Sequence, residues 1–273
     1  MNRNLNMLIT AGVVLWGLSI LLFNQNNEDE LAIILVYYWV AGFLALFKAR
    51  VHWSVWALVT AITFGASGDP KMIAFLIIPL SWLLPLIVYL LIKIGLLHTD
   101  LANLMRLPAE KTRAILLTAL VWGSSSALYL LAVSAPAFSY GVLSASQIEF
   151  KGLATSNATV PTSSEVLSSF NEEVIRAGLM LNGLPNPLLN SLLWVLAHPL
   201  ILSANRVEER TESAWGVNLD GMANKDAFVK TILAAYFLAM CVHGFLLLWL
   251  IKRTHSVWPA VVCHLVHNLL ATG

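Results

Sequence analysis

Long apolar runs occupy most of this chain, and they constrain its fold more than any other feature. A helix needs about 20 mostly apolar residues to cross the hydrocarbon core of a bilayer. The runs are too long and too uniformly apolar for the alternating strands of an outer-membrane barrel. The sequence therefore predicts an all-α, polytopic transmembrane helical bundle of about nine spans. These lie at roughly 5–23, 31–47, 51–66, 72–97, 114–135, 165–183, 187–205, 227–251 and 256–271.

The composition of the chain supports the same class. Of the 273 residues, 58% are hydrophobic and 11% are charged, and the mean hydropathy is +0.76. A soluble domain carries roughly 25% charged residues, so this chain has too little polar surface to cover a globule in water. The net charge is only +1 and the basic residues are scattered. The composition therefore indicates the lipid bilayer as a partner and gives no support for a nucleic-acid partner.

The distribution of lysine and arginine indicates which ends of the spans face the cytoplasm. Cytoplasmic loops of membrane proteins carry an excess of these residues. The first span shows no cleavage site typical of a signal peptide, so we expect it to be retained. We therefore predict a cytoplasmic N-terminus. This orientation also places inside the basic residues Lys48, Arg50, Arg106, Lys111, Arg113, Lys252 and Arg253.

Ionisable residues within the predicted spans are concentrated in the C-terminal half. Such residues are costly at membrane depth and usually face a bundle interior or a wet cavity. On a helix, Glu172 and Arg176 are separated by four residues and share a face, which predicts that Arg176 holds Glu172 ionised and oriented. Glu173 points about 100° away, toward a different partner. Further along the chain, polar residues of this kind are His198, His264, His267 and Asn268.

The residue types in these groups suit the activation of water. A glutamate can act as general base, an imidazole can orient water or donate a proton, and an amide can stabilise an oxyanion. Structural explanations remain open: a charged helix start in water, or histidines that hydrogen-bond to neighbouring helices. Two other functions also remain open, a proton-coupled transporter and an inactive scaffold. For His243, which is alone in its span, packing or bonding between helices is the favoured role.

The chain resembles the CAAX prenyl protease and bacteriocin-processing family of intramembrane proteases, often called the CPBP or ABI family. Three motifs characterise that family in this order: EExxxR, FxxxH and HxxxN. The counterparts here are Glu172-Glu173 with Arg176, Trp194 with His198, and His264 with Asn268. The resemblance covers about residues 114–271, which predicts N-terminal helices at 1–113 and a protease core at 114–273.

Two positions depart from the family pattern. Trp194 stands where the family usually has phenylalanine, which is a mild aromatic exchange. The arginine comes one position early, because Ala177 occupies the usual arginine position. Gly178 fits the family's Arg-Gly register and favours alignment of the two glutamates with Glu172 and Glu173. An alternative register matches Arg176 and places Asn171 in the first glutamate's position.

The resemblance implies a catalytic role for each motif residue. Glu172 would be the general base, and Glu173 and Arg176 would shape its charge and position. His198 would contact the nucleophilic water or Glu172, while His264 and Asn268 would stabilise the oxyanion. A metal-free mechanism is favoured over a zinc mechanism. Zinc, if used, would be bound by Glu172, His198 and His264.

The family's substrates suggest what the chain would cleave and where. They are membrane-associated peptides, among them prenylated C-terminal peptides and bacteriocin leader peptides. Localisation in the bacterial inner membrane is expected. The alternatives are an inactive scaffold or bacteriocin-immunity protein and a proton-coupled transporter.

Overall fold

The computed structural model describes residues 3–46, 68–69, 71–72, 83–96, 99–142, 163–198, 202–215 and 218–272. These residues form ten α-helices and no strand, which confirms the all-α prediction for the described part of the chain. The helices are α1 (Arg3–Phe23), α2 (Glu28–Ala45), α3 (Leu84–Lys93), α4 (Thr99–Leu104), α5 (Lys111–Ser139), α6 (Ser163–Asn182), α7 (Pro187–Leu196), α8 (Ala204–Trp215), α9 (Lys225–Thr254) and α10 (Trp258–Thr272).

Two of the described helices, α5 and α9, are long and apolar enough to cross a membrane. At 1.5 Å per residue each is about 45 Å long, which exceeds the roughly 30 Å of bilayer hydrocarbon. Only 17% of the apolar window of α5 is buried within the protein, so most of that apolar surface faces outward. This exposure suits contact with lipid and does not suit the core helix of a water-soluble domain.

The prediction of nine spans is not confirmed. The predicted span at 51–66 lies outside the described residues, as does part of 72–97. The predicted span at 187–205 is wrong in its C-terminal part, because α7 ends at Leu196 and α8 begins at Ala204. A ten-residue helix is about 15 Å long, which is too short to cross the hydrocarbon. The predicted boundary between residues 113 and 114 stays a prediction.

Helix α6 is the element around which the other helices assemble. It packs against α2, α7 and α10, and nearly every side chain from residue 169 to residue 180 is buried. The close approach of α2 requires Gly42, since a methyl group there would overlap Ile175 of α6. The polar groups of α6 are therefore enclosed by apolar helices.

The start of α7 and the end of α9 are fixed by local backbone chemistry. The Asn186 side chain accepts hydrogen bonds from the backbone N–H groups of Leu188 and Leu189, which caps α7. Helix α9 ends at Thr254, and the positive φ of 50° at the C-cap residue His255 turns the chain toward α10. The side chains at both helix ends are consequently held in defined directions.

Candidate active site

Glu172 lies on α6 where that helix meets α7. Its carboxylate oxygen Oε2 accepts a hydrogen bond from the indole Nε1–H of Trp194 at 2.9 Å. The other oxygen, Oε1, accepts from the hydroxyl of Ser168 at 3.2 Å. The side chain is 14% exposed, so Glu172 is not completely enclosed. Two donors thus orient this carboxylate without enclosing it.

Two imidazoles face the Glu172 carboxylate. The Nε2 atom of His198 lies 3.6 Å from Glu172 Oε2, and the Nε2 atom of His264 lies 3.8 Å from the same oxygen. Both distances are longer than a direct hydrogen bond. A water molecule that contacts the carboxylate and an imidazole at once is the arrangement that general-base hydrolysis requires.

The hydrogen bond at the other ring nitrogen defines the tautomer of His198. Its Nδ1 atom lies 2.7 Å from the backbone carbonyl oxygen of Trp194. A carbonyl only accepts hydrogen bonds, so Nδ1 carries the hydrogen. In the neutral ring, Nε2 then presents its lone pair toward Glu172. His198 can accordingly accept a hydrogen bond from a water molecule bound at the carboxylate.

Glu173 forms a second, fully buried polar cluster beside the first. Arg176 Nη1 donates to both oxygens of the Glu173 carboxylate, at 3.0 and 3.1 Å. Both side chains have 0% exposure. On the other side, His264 Nδ1 lies 3.0 Å from Glu173 Oε1. Glu173 therefore joins α6 to α10 and fixes the orientation of the His264 ring.

Arg176 also connects α6 with α7 and α9. Its Nη2 atom donates to the backbone carbonyl of Gly244 on α9. The guanidinium carbon lies 4.6 Å from the centre of the Trp194 ring, within the range of a cation–π interaction. Because the same indole donates to Glu172, Arg176 supports the position of Glu172 indirectly, through Trp194.

The predicted pairing of Arg176 with Glu172 is wrong, since Arg176 pairs with Glu173. Residues three and four positions apart are both neighbours on a helix, so spacing alone does not choose between the two partners. The neighbouring helices determine which glutamate pairs with Arg176. Glu173 and Arg176 face the interior between α9 and α10, whereas Glu172 faces Trp194 of α7. The early position of the arginine therefore still permits a buried ion pair.

Asn268 lies against the turn of α6 that precedes Glu172. Its Nδ2 atom is 3.5 Å from the hydroxyl oxygen of Ser169. His264 lies one turn earlier on α10, so this helix presents an imidazole and an amide to α6. The structure brings together every predicted site residue, and their catalytic roles stay predictions. These residues are Glu172, Glu173, Arg176, His198, His264 and Asn268.

His243 packs behind this site and makes no hydrogen bond within the described part of the chain. It is 1% exposed, and neither ring nitrogen has a partner there. Its ring centre lies 4.9 Å from that of His267 and 6.2 Å from that of His264. His267 in turn stacks on Tyr129 of α5. Of the two roles predicted for His243, the structure supports packing.

Gly244 is a site residue that the sequence analysis missed. A Cβ atom at this position would lie 2.8 Å from Cε3 of Trp194 and 3.3 Å from Nη2 of Arg176. The absence of a side chain lets the α9 backbone reach the Arg176 guanidinium. A glycine in the middle of a 30-residue apolar helix was the available signal, because glycine there usually has a packing or functional reason.

The alternative zinc site of Glu172, His198 and His264 stays a prediction. Among the residues that the structure describes, no group of three His, Cys, Asp or Glu side chains is arranged so that it would hold a metal ion. Chelation and metal analysis distinguish the metal-free mechanism from the zinc mechanism.

Comparison with known proteins identifies a related family. A family model described as "Type II CAAX prenyl endopeptidase Rce1-like" matches residues 162–270. This segment contains all the residues of the candidate active site, from Glu172 to Asn268. No curated protein and no solved structure matches the chain.

Proposed function

We propose that this chain is an integral-membrane endopeptidase in which Glu172 activates water. The proposal is supported by the match of residues 162–270 to the model of the Rce1-like type II CAAX prenyl endopeptidase family, which is the CPBP family. The observation that carries the proposal is the convergence of two imidazole Nε2 atoms on one Glu172 oxygen, at 3.6 and 3.8 Å. The buried Glu173–Arg176 cluster supports it by fixing the surrounding side chains.

The first step is removal of a proton from water. Water bound between Glu172 Oε2 and His198 Nε2 transfers one proton to the carboxylate, and its oxygen bonds to the carbonyl carbon of the scissile peptide. The Trp194 N–H holds the carboxylate in place during the transfer. A positioned base of this kind contributes typically about 10²- to 10⁴-fold to a rate.

His264 and Asn268 stabilise the oxyanion. The Nδ1 atom of His264 faces the acceptor Glu173, so Nε2 donates a hydrogen bond only when the ring is an imidazolium. The cluster would then contain two negative groups, Glu172 and Glu173. It would also contain two positive groups, Arg176 and His264, so its charges would balance. When the intermediate collapses, protonated Glu172 returns its proton to the amide nitrogen and the C–N bond breaks.

The substrate class is a membrane-associated peptide, with prenylated C-terminal peptides and leader peptides as the two candidates. The proposed location is the bacterial inner membrane, with a cytoplasmic N-terminus. Arg106 precedes α5 and Arg113 lies in its first turn, whereas Lys252 and Arg253 lie in the last turn of α9. These four residues line one cleft. This proximity supports the predicted placement of both basic segments on the same side of the membrane.

We expect His198→Ala and His264→Ala each to lower peptide cleavage at least about 100-fold, because one loses a water ligand and the other an oxyanion donor. The assay uses the full chain in liposomes with quenched fluorescent peptides: a farnesylated C-terminal peptide, its unprenylated form and a leader peptide. The matched control is His255→Asn, which alters an exposed histidine and tolerates its positive φ. Absence of cleavage by the wild type would favour the scaffold, and proton-coupled uptake would favour the transporter. Full cleavage by both alanine variants would contradict the proposed roles of His198 and His264.

The same assay separates the metal-free mechanism from the zinc mechanism. Cleavage retained after chelation, by protein that contains no stoichiometric metal, is the result that the metal-free proposal predicts. Loss of cleavage on chelation, followed by recovery with zinc, would contradict it. Glu172, His198 and His264 would then be the zinc ligands.

Gly244→Ala should lower peptide turnover about 10- to 100-fold. The added methyl group lies 2.8 Å from the Trp194 ring, so the indole must shift and carry the Glu172 carboxylate with it. Displacement of a catalytic group by about 1 Å costs up to about 10²-fold in rate. The control is Gly123→Ala in α5, where the new Cβ would meet nothing within 4 Å. Equal turnover by both variants would show that α9 does not position the site.

A further inference from the structure

A basic cleft lies at the end of the bundle where α5 begins and α9 ends. Its volume is about 520 Å³, and it lies apart from the residues of the candidate active site. Four cationic side chains line it, and the single carboxylate among its lining residues belongs to Glu110, which pairs with Arg113 at 3.3 Å. The cleft therefore carries a strong excess of positive charge. The four cations are those of Arg106, Arg113, Lys252 and Arg253.

An apolar groove continues from this cleft along the outside of α5 and α10. Its volume is about 510 Å³, and it shares Leu107, Pro108 and Ala114 with the cleft. From Ala114 to Trp122 it follows α5 for about 12 Å, at 1.5 Å per residue. Side chains on its outer edge are exposed on the surface of the bundle; Ile115, for example, is 68% exposed. The groove therefore opens sideways, toward the lipid.

Apart from the Lys111 side chain, the groove offers almost no hydrogen-bonding group to a peptide backbone. The hydroxyl of Thr118 already donates to the carbonyl of Ala114 at 2.7 Å. The indole N–H of Trp258 already donates to the carbonyl of Met105 at 2.8 Å. The indole nitrogen of Trp122 is buried, and it has no hydrogen-bond partner among the described residues. A hydrocarbon chain, which needs no hydrogen bonds, fits this lining better than a peptide does.

The wall between cleft and groove is held in place by bonds to the turn that joins α9 to α10. The hydroxyl of Ser256 donates to the carbonyl of Arg106 at 2.7 Å. The backbone N–H of Val257 donates to the carbonyl of Leu104 at 2.8 Å. These contacts fix the segment that carries Arg106 against the end of α9. The cleft is therefore built before any ligand arrives.

We propose that cleft and groove together bind one anionic phospholipid of the adjacent leaflet, with its phosphate in the cleft and an acyl chain in the groove. Arginine recognises phosphate oxygens through paired N–H groups, and lysine attracts them as a point charge. Basic pockets between helices at the membrane surface are typical binding sites for anionic head groups. The site is independent of the proposed peptidase chemistry.

The test measures lipid binding by the full chain in detergent, using native mass spectrometry with dioleoyl phosphatidylglycerol and dioleoyl phosphatidylcholine. The wild type is expected to retain the anionic lipid preferentially. Arg106→Gln/Lys252→Gln should weaken phosphatidylglycerol binding about 30-fold, since each basic side chain contributes about 1 kcal/mol and 1.4 kcal/mol is tenfold. The control, Arg206→Gln/Lys230→Gln, removes the same charge elsewhere and should change binding less than twofold.

A second variant tests the groove separately from the cleft. Ala119→Trp fills the groove and should weaken the dioleoyl lipid at least tenfold, while dihexanoyl phosphatidylglycerol keeps its affinity for the cleft. Equal binding of the two dioleoyl lipids would overturn the proposal. So would an equal loss from both charge-removing pairs, or full displacement of the lipid by millimolar inorganic phosphate, which would indicate a site for the free anion.

Discussion

Glu172→Gln is expected to lower peptide hydrolysis by about 10³- to 10⁴-fold while leaving the fold intact. The amide cannot take a proton from water, so the attacking hydroxide is no longer generated at this position. The amide has nearly the same shape as the carboxylate, and its oxygen can still accept the Trp194 N–H. Turnover measured at saturating substrate isolates the chemical step from binding.

The control for this experiment is Glu165→Gln, two turns earlier on α6. It removes one carboxylate from the same helix without touching Trp194, His198 or His264, and it should leave turnover unchanged. Thermal melts of both variants verify folding. If Glu172→Gln kept more than about one tenth of wild-type turnover, Glu172 would not be the base.

Arg176→Met is expected to lower the free energy of unfolding by about 3–5 kcal/mol. The substitution leaves the Glu173 carboxylate at 0% exposure without its arginine, and an uncompensated buried charge is strongly destabilising. It also removes the donor to the Gly244 carbonyl and the cation beside Trp194. Denaturant unfolding of the purified protein in detergent, followed by tryptophan fluorescence, measures the loss.

Two comparisons make the stability experiment specific. Arg206→Met removes an arginine from another pair with three-residue spacing, whose side chains are 47% and 63% exposed. Exposed pairs contribute about 0–1 kcal/mol, so this control should change stability little. The double variant Glu173→Gln/Arg176→Met leaves no unpaired charge and should regain about half of the lost stability or more. An Arg176→Met variant as stable as Arg206→Met would contradict the buried ion pair.

The sequence was sufficient to predict the helical class and the residues that meet at the site. Ionisable side chains within apolar runs usually face a polar interior or a wet cavity. Three short motifs in the right order then indicated a resemblance to one family. The structure accordingly brings residues of α6, α7 and α10 together, and the family match covers the same segment. These predictions depended on residue types and order, which a sequence contains directly.

The pairing within the site was not predictable from spacing. Glu172 and Glu173 are both within reach of Arg176 on a helix, and only the positions of α7, α9 and α10 decide between them. The role of Gly244 was hidden for the same reason, because its contacts come from residues 50 to 70 positions away in the chain. Contacts between helices are properties of the tertiary fold and leave little trace in local sequence.

The end of α7 was misplaced because the apolar run continues beyond the helix. Hydropathy remains high through Leu202, yet the helix stops at Leu196, and His198 lies just after its end. The hydrogen bond from His198 Nδ1 to the Trp194 carbonyl helps to define this turn. Apolar composition reports burial or lipid contact, and it does not report where a helix ends.

Comparative analysis of peptides from membranes tests the central claim most directly. Cells that produce the wild type, Glu172→Gln or Glu165→Gln at equal levels are compared by mass spectrometry for new peptide termini in membrane fractions. Termini that occur with the wild type and with Glu165→Gln, and disappear with Glu172→Gln, are the predicted result. The same set of termini in all three samples would contradict a peptidase that depends on Glu172.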